Sequence, residues 1–183
     1  KGKMKWKLSI GACVLISLAL VVFGLLFGTV NGYADDRRQV TVLLEGENGL
    51  KDVLSYRGAD GLNLCVVASR HLSGDADVAA LKQAAKQLSN ENVALEERKR
   101  EDAKLDAAVN AVKGKLVATK SFTESARDQK YLDMLTTDMQ NLQKSALVTT
   151  YNTAAKDFNA QLETPVIGAV ARLMGITPCE LYE

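Results

Sequence analysis

A run of 23 residues without a charged side chain, from Leu8 to Val30, constrains the fold of this chain more than any other feature. As a helix with a rise of about 1.5 Å per residue it would extend roughly 34 Å, enough to cross a hydrocarbon layer of about 30 Å. Trp6 and Tyr33 flank the run at positions where aromatic rings settle at the two membrane interfaces. The sequence therefore predicts a transmembrane helix over residues 8–30, with the lipid bilayer as a partner.

The charges on either side of this helix predict its orientation. Four lysines lie in the basic flank of residues 1–7, whereas the charges of residues 35–38 cancel. By the positive-inside rule the N-terminus stays in the cytoplasm and the rest of the chain is exported. Residues 32–34 offer the small side chains that a signal peptidase reads, but the apolar run is longer than a usual signal core of about 7–15 residues, which favours an uncleaved anchor.

Three glycines recur every four residues near the end of the predicted transmembrane helix. Gly24, Gly28 and Gly32 therefore line one helix face. Small residues in this spacing let a second helix approach closely, which is how helices associate in membranes. The alternative interpretation is that glycine is simply frequent in membrane-spanning segments. We expect this face to be a helix–helix contact.

The composition of the remaining chain predicts an all-α fold. Its only prolines, Pro165 and Pro178, lie near the end, so more than a hundred residues are free of helix breakers. We expect a four-helix, up-and-down bundle over residues 31–163. Four of the 23 basic residues lie in the N-terminal flank, which leaves 19 basic residues against 22 acidic residues in the rest of the chain. The body is therefore mildly acidic. Nucleic-acid binding, which requires a basic surface, is therefore not expected.

The first two bundle helices are predicted from the spacing of apolar residues. The first should continue the membrane helix outward as far as Tyr56, with a break at Gly58 and Gly61. A short second helix should follow from Leu62 to Leu72.

The other two helices are predicted to be long. A third, capped by Asp75 or Asp77, should run along a leucine-rich seam to Leu116. A fourth, capped by Thr123 or Ser125, should begin after a turn at residues 121–125 and end at Leu162.

A dense run of charges, from Glu96 to Lys104, falls inside the third predicted helix. Glu96 with Arg100 and Arg98 with Asp102 are spaced as i, i+4 pairs. Such pairs are typical of a solvated helix surface. We expect this run to face water.

The C-terminal tail, residues 164–183, is unusually apolar. Its stretch from Val166 to Ile176 holds a single charge and is too short to span a bilayer. If four helices alternate in direction, the tail returns to the level of the membrane. It could then lie at the interface or pack back onto its own bundle, and the sequence favours neither.

Residues that could carry chemistry are few. Cys13 lies in the predicted transmembrane helix, and Cys65 and Cys179 are interpreted as small buried hydrophobes rather than as a disulfide. His71 is the only histidine, so a di-iron site with two Glu-x-x-His motifs is not expected. We expect no enzymatic activity, no metal site and no cofactor, and a titrating switch at His71 is the sharper hypothesis for that residue.

Three segments resemble the LemA family of bacterial membrane-anchored helical proteins. Residues 151–159, YNTAAKDFN, resemble the YNxAVRDFN-type signature. Residues 57–64 are similar to the RRADLIPNLV element, and residues 164–182 are similar to the family's FPGNLIAGLFGFKPxPYFE ending. The chain departs from the family by lacking the proline before Asn63 and the usual tryptophan of the first helix. The family's FPG is also reduced to Thr164-Pro165.

The resemblance implies an anchored helical bundle outside the cytoplasm, in the inner membrane of a bacterium. It implies no activity, because the family has no agreed biochemical function. We therefore expect a scaffold or accessory subunit that assembles with copies of itself or with other envelope proteins. The alternative is a ligand-sensing bundle that works with a separate signalling partner.

Two asparagines in the signature segment need a physical reason. Asn152 and Asn159 lie seven residues apart on one helix face, beside Tyr151 and Phe158. An asparagine in a helix seam must find hydrogen-bond partners and so fixes the register of the helices. We expect these four residues to set bundle register, although exposure of the asparagines to water is the other reading.

Overall fold

The computed structural model describes residues 9–183, so Trp6 and the basic flank lie outside the described residues. Every regular element in the described part is helical, which confirms the all-α prediction. The helices are α1 (Ile10–Glu45), α2 (Leu50–Ser69), α3 (Ala76–Leu88), α4 (Leu95–Val117), α5 (Lys120–Thr123), α6 (Ala126–Gln143), α7 (Ala146–Leu162) and α8 (Ile167–Leu173). Beyond α8, residues 176–183 form an extended C-terminal segment that we call the strap.

The helices form an up-and-down bundle in which two of the four rods are bent. α1 and α2 follow one another as the first rod, α3 and α4 are the second and third, and α6 with α7 is the fourth. Contacts between opposite ends show that neighbours are antiparallel. Lys115 at the end of α4 pairs with Asp75 at the start of α3, and Arg70 at the end of α2 pairs with Asp128 at the start of α6.

Helix starts follow the side chains that can cap them. The Asp75 carboxylate accepts a hydrogen bond from the Asp77 backbone N–H at 2.8 Å, and Ser125 Oγ accepts one from the Asp128 N–H at 3.4 Å. These contacts satisfy amide groups that have no partner in the first turn of a helix. Capping by Asp75 and Ser125 is thus confirmed.

The expected break at Gly58 and Gly61 is wrong. The first rod bends at residues 46–49 instead, where Asn48 has a φ of 60°, and α2 runs unbroken through both glycines. These glycines serve packing, because a Cβ at Gly58 would lie 2.2 Å from Ser89 Oγ and one at Gly61 would lie 2.8 Å from Leu105 Cδ1. Glycine lets α2 and α3 approach more closely than any other residue would.

The expected single helix from Asp75 to Leu116 is also wrong. It is divided by the loop at residues 89–94 into two antiparallel helices, so α3 and α4 are separate members of the bundle. The fourth rod is likewise interrupted at Lys144 and Ser145. The four-rod architecture is therefore present with a different allocation of residues.

The bundle has two halves of different construction. The distal half, formed by α2 to α6, has a core of aliphatic side chains such as Leu64, Leu81, Leu105 and Leu116, all completely buried. The proximal half, nearer the N-terminal apolar helix, consists of residues 29–45 of α1, α7, α8 and the strap. Its core includes Tyr33, Tyr151 and Phe158.

Candidate functional site

The N-terminal part of α1 has the length and apolar character needed to cross a membrane. From residue 13 to residue 28 every side chain is exposed, and Leu15, Leu18 and Phe23 are each exposed by more than half. A contiguous apolar surface of this size is unfavourable in water. After residue 28, Thr29 and Val30 are the first residues that are partly buried, and Val30 packs against the core of the bundle.

The three glycines of α1 face open space. A Cβ added to Gly24, Gly28 or Gly32 would meet no atom within 4 Å. Within residues 9–183, no other part of the chain packs against this face, and the face is accessible to a second helix.

Tyr33 lies at the end of this apolar part and reaches protein rather than solvent. Its hydroxyl donates to the Gln161 carbonyl oxygen at 2.9 Å and lies 3.3 Å from Thr164 Oγ1. Its ring meets Phe158 edge-on, with 6.4 Å between centroids. Tyr33 thus joins α1 to the end of α7.

The asparagines of α7 hold the strap by its backbone. Asn159 donates through Nδ2 to the Cys179 carbonyl oxygen at 2.9 Å and accepts through Oδ1 from the Cys179 N–H at 2.7 Å. Asn152 makes the same pair of contacts with Tyr182, at 2.6 and 2.8 Å. Each amide therefore forms a two-point clamp on one residue of the strap.

The spacing of the two clamps matches the repeat lengths of the two segments. Seven residues of α7 separate Asn152 from Asn159, which corresponds to about 10.5 Å along a helix. Three residues separate Cys179 from Tyr182, about 10 Å in an extended chain. The asparagines therefore align the strap with α7, a partner that the sequence analysis did not identify.

Tyr151 supports the same contact from the side. Its hydroxyl donates to the Glu180 carbonyl oxygen, and its ring is completely buried. Burial, with the neighbouring Cys179 and Glu180, raises the pKa of Tyr151 to about 12. The phenol therefore remains a hydrogen-bond donor throughout the physiological pH range.

A buried arginine connects the strap to the distal half. Arg57 Nε donates to Asp102 Oδ1 at 2.7 Å, Nη2 donates to Asp106 Oδ1 at 2.8 Å, and Nη1 donates to the Met139 carbonyl oxygen. The Tyr182 hydroxyl donates to the other Asp102 oxygen at 2.9 Å. Burial, followed by the charge of Asp102, raises the pKa of Tyr182. One guanidinium thus joins α2, α4 and α6, and the strap reaches it through Tyr182.

The charged run of α4 is not uniformly solvated, contrary to expectation. Glu96 and Arg100 do form an exposed pair at 3.7 Å. Arg98, however, is completely buried and donates to the Leu88 and Lys51 carbonyl oxygens, each at 3.0 Å, and to Ser55 Oγ. The expected pairing of Arg98 with Asp102 is wrong because Asp102 pairs with Arg57 instead.

The single histidine lies in a polar cluster at the far end of the distal half. His71 Nε2 is 2.9 Å from Asp128 Oδ2, and His71 Nδ1 is 3.0 Å from Ser121 Oγ. Arg70 and Arg127 also donate to the Asp128 carboxylate, at 2.7 and 3.2 Å. Two arginines therefore share the charge of Asp128. Through His71, the cluster joins the end of α2 to Ser121, which is exposed on the four-residue α5, and to Asp128 of α6. We call this cluster the His71 clasp.

The two cysteines of the bundle lie in different environments. Cys65 is buried in the distal half, and burial raises its pKa to about 11. Cys179 lies in the strap and is partly buried. The burial of Cys65 agrees with its interpretation as a small buried hydrophobe, whereas Cys179 is covered only in part.

Comparisons with known proteins leave the family open. No family model, no curated protein and no solved structure matches this chain. The similarity to LemA proteins in the signature segment therefore stays a prediction.

Proposed function

We propose that this protein is a single-pass, membrane-anchored helical bundle of the bacterial cell envelope that acts as a non-enzymatic scaffold or accessory subunit. The observation that carries the proposal is the fully exposed apolar surface of α1 between residues 13 and 28. Lipid would cover that surface, and the bundle would stand outside the cytoplasm on its proximal half.

Self-assembly is part of the proposal. The open space beside Gly24, Gly28 and Gly32 supports it, because close helix approach is what drives association where lipid removes the hydrophobic effect. The resemblance to LemA proteins supports the anchored bundle in the inner membrane but adds no activity.

The test compares glycines on different faces of α1. The full chain is extracted in mild detergent, reconstituted into nanodiscs and its stoichiometry measured by native mass spectrometry. We expect oligomers for the wild type and a shift towards monomer for Gly24→Leu combined with Gly28→Leu.

Gly11→Leu is the matched control, because Gly11 also faces open space on α1 but lies outside the glycine face. It should assemble as the wild type does. A wild-type protein that stays monomeric in nanodiscs would refute self-assembly, and a chain that washes off membranes at alkaline pH would refute the anchor.

A cavity favours a second candidate, a ligand-sensing bundle with a separate signalling partner. It is an open cleft of about 610 Å³ between α1, the α3–α4 loop and the strap, and Arg37, Lys51 and Tyr151 lie among its lining residues. Thr41 also lines the cavity, so Thr41→Trp should occupy part of its volume. A small molecule that co-purifies with the wild type and is lost from this variant would favour sensing over scaffolding.

A further inference from the structure

α8 turns its apolar side chains outward. Val166 is exposed by 78 %, Ile167 by 53 %, Leu173 by 87 % and Met174 by 65 %. Ile167, Leu173 and Met174 share one face of the helix, and Val166 precedes the helix with a positive φ of 51°. The opposite face carries Gly168 and Ala171, which are buried against the protein. α8 therefore packs against the protein through its small residues, and its large apolar side chains point away from the protein.

The path of the chain places α8 at the end of the bundle nearest the anchor. Tyr151 at the start of α7 lies by Val40 and Leu44 of α1, whereas Gln161 at its end meets Tyr33. After α8, the strap runs back along α7, past Asn159 and then Asn152. α8 therefore lies where the chain turns. α7 runs towards the apolar part of α1, and the strap runs back away from it.

This turning point coincides with the end of the apolar part of α1. Tyr33 lies three residues beyond Val30, about 4.5 Å along a helix axis. α8 contacts α1, and the first covered residues of α1 are Thr29 and Val30. α8 and its exposed apolar face therefore lie beside the end of the anchor's apolar surface.

We propose that α8 lies in the boundary between headgroups and acyl chains of the bilayer that α1 spans. The segment is too short to cross a membrane but suits an interfacial position, with Leu173 and Met174 among the acyl chains. Arg172 is exposed on the same helix next to Leu173, and its long side chain can reach lipid phosphate from an interfacial position. This inference rests on the proposed membrane anchor, and it gives the bundle a second attachment point that fixes its tilt.

The test reads the depth of a single tryptophan in lipid. The full chain carries Trp6→Phe, so that one introduced indole is the only fluorophore of its kind. It is reconstituted into nanodiscs of phosphatidylcholine and phosphatidylglycerol that are brominated either near the headgroup or near the chain ends. The three variants are Leu173→Trp on α8, Phe23→Trp within the anchor, and Val117→Trp at the exposed end of α4.

We expect Leu173→Trp to lose roughly half of its emission with lipids brominated near the headgroup, because an interfacial helix lies about 5–10 Å into that boundary. Phe23→Trp should be quenched by lipids brominated near the chain ends, and Val117→Trp by neither. Met174→Trp serves as a second reporter if Leu173→Trp lowers the helical signal in circular dichroism.

The outcomes separate the two proposals. Quenching of Phe23→Trp without quenching on α8 would overturn the interfacial position and leave the anchor intact. The absence of quenching at both positions would overturn the anchor itself. Unquenched but blue-shifted emission from α8 that depends on protein concentration would assign the face to a second copy of this chain and also overturn the lipid contact.

Discussion

The two halves of the bundle are stabilised in different ways. In the distal half, four helices surround a core of buried aliphatic side chains, and Arg57 joins three of them. In the proximal half only α1 and α7 remain as long helices, with α8 at their end. The strap takes the place of the missing helices, and it is held by amide-to-backbone hydrogen bonds from Asn152 and Asn159.

This difference implies that the halves respond to different perturbations. Helix-on-helix packing is sensitive to volume and to buried charge, because close-packed interiors relax little. A strap held by hydrogen bonds depends on a few polar groups whose loss opens a limited region. The proximal half, which lies towards the proposed membrane, is therefore expected to be the more easily opened of the two.

The largest effect is expected from removing the arginine at the centre of the distal half. Arg57→Met leaves Asp102 and Asp106 without their main partner, and breaking a buried ion pair from one side costs about 3–5 kcal/mol. Chemical unfolding of the detergent-solubilised chain, followed by circular dichroism, measures the loss.

Arg100→Met is the control for this change. Arg100 pairs with Glu96 and Glu97 on its own helix and is exposed, so its replacement should leave the free energy of unfolding close to that of the wild type. Equal losses for the two arginines would show that the network around Arg57 contributes nothing beyond a surface pair.

A smaller and more local effect is expected from the clamps. Asn152→Ala combined with Asn159→Ala leaves buried backbone groups of the strap unsatisfied, at about 3 kcal/mol together. Hydrogen exchange should rise in residues 33–45 and in α7 while the distal half stays protected. Asn110→Ala, at an exposed position of α4, is the matched control. Faster exchange spread evenly over both halves would contradict their separate construction.

The sequence predicts the all-α fold class well, because the spacing of apolar residues and the composition are local properties of each segment. It does not predict which charged residues are buried. Arg98 lies in a run that has the composition of a solvated face, and only the close approach of α2 and α3 supplies its carbonyl and hydroxyl acceptors. The partners of Arg98 are distant in sequence, so no spacing within α4 could indicate them.

The asparagines of α7 show what was missed at the candidate site. Their seven-residue spacing indicates a shared partner along one face, and the prediction named another helix. The partner is the extended strap, whose three-residue spacing between Cys179 and Tyr182 matches the same length. A search for an extended segment ending in an aromatic residue could have found it.

The glycines of the bundle offer a test of packing in the distal half. A methyl group at Gly58 would lie 2.7 Å from the Ala85 carbonyl oxygen, so Gly58→Ala should force α2 and α3 apart. We expect this change to lower the free energy of unfolding by about 1–3 kcal/mol. Gly114→Ala on α4 meets open space and should stabilise the helix by up to about 1 kcal/mol. Opposite signs are expected in thermal unfolding, and a stabilising Gly58→Ala would contradict the close approach.

The smallest effect is a pH dependence that we expect at the His71 clasp in the distal half. The hydrogen bond from His71, with the charges of Arg127 and Arg70, lowers the pKa of Asp128 to about 2 from its ordinary value of 3.8. Because the folded state favours the ionised carboxylate, this stabilisation is complete above about pH 4 and is lost as the pH falls towards 2. Asp128→Asn should therefore flatten the melting-temperature profile in that range, whereas Asp157→Asn, at an exposed position of α7, should follow the wild type. The Asn152 and Asn159 clamps contain no carboxylate, and the ion pair between Glu183 of the strap and Lys156 is exposed. Acid should therefore loosen the His71 clasp before it releases the strap, and hydrogen exchange at pH 3 would show the order. Earlier release of the strap would mean that the proximal half depends on charge as much as the distal half does.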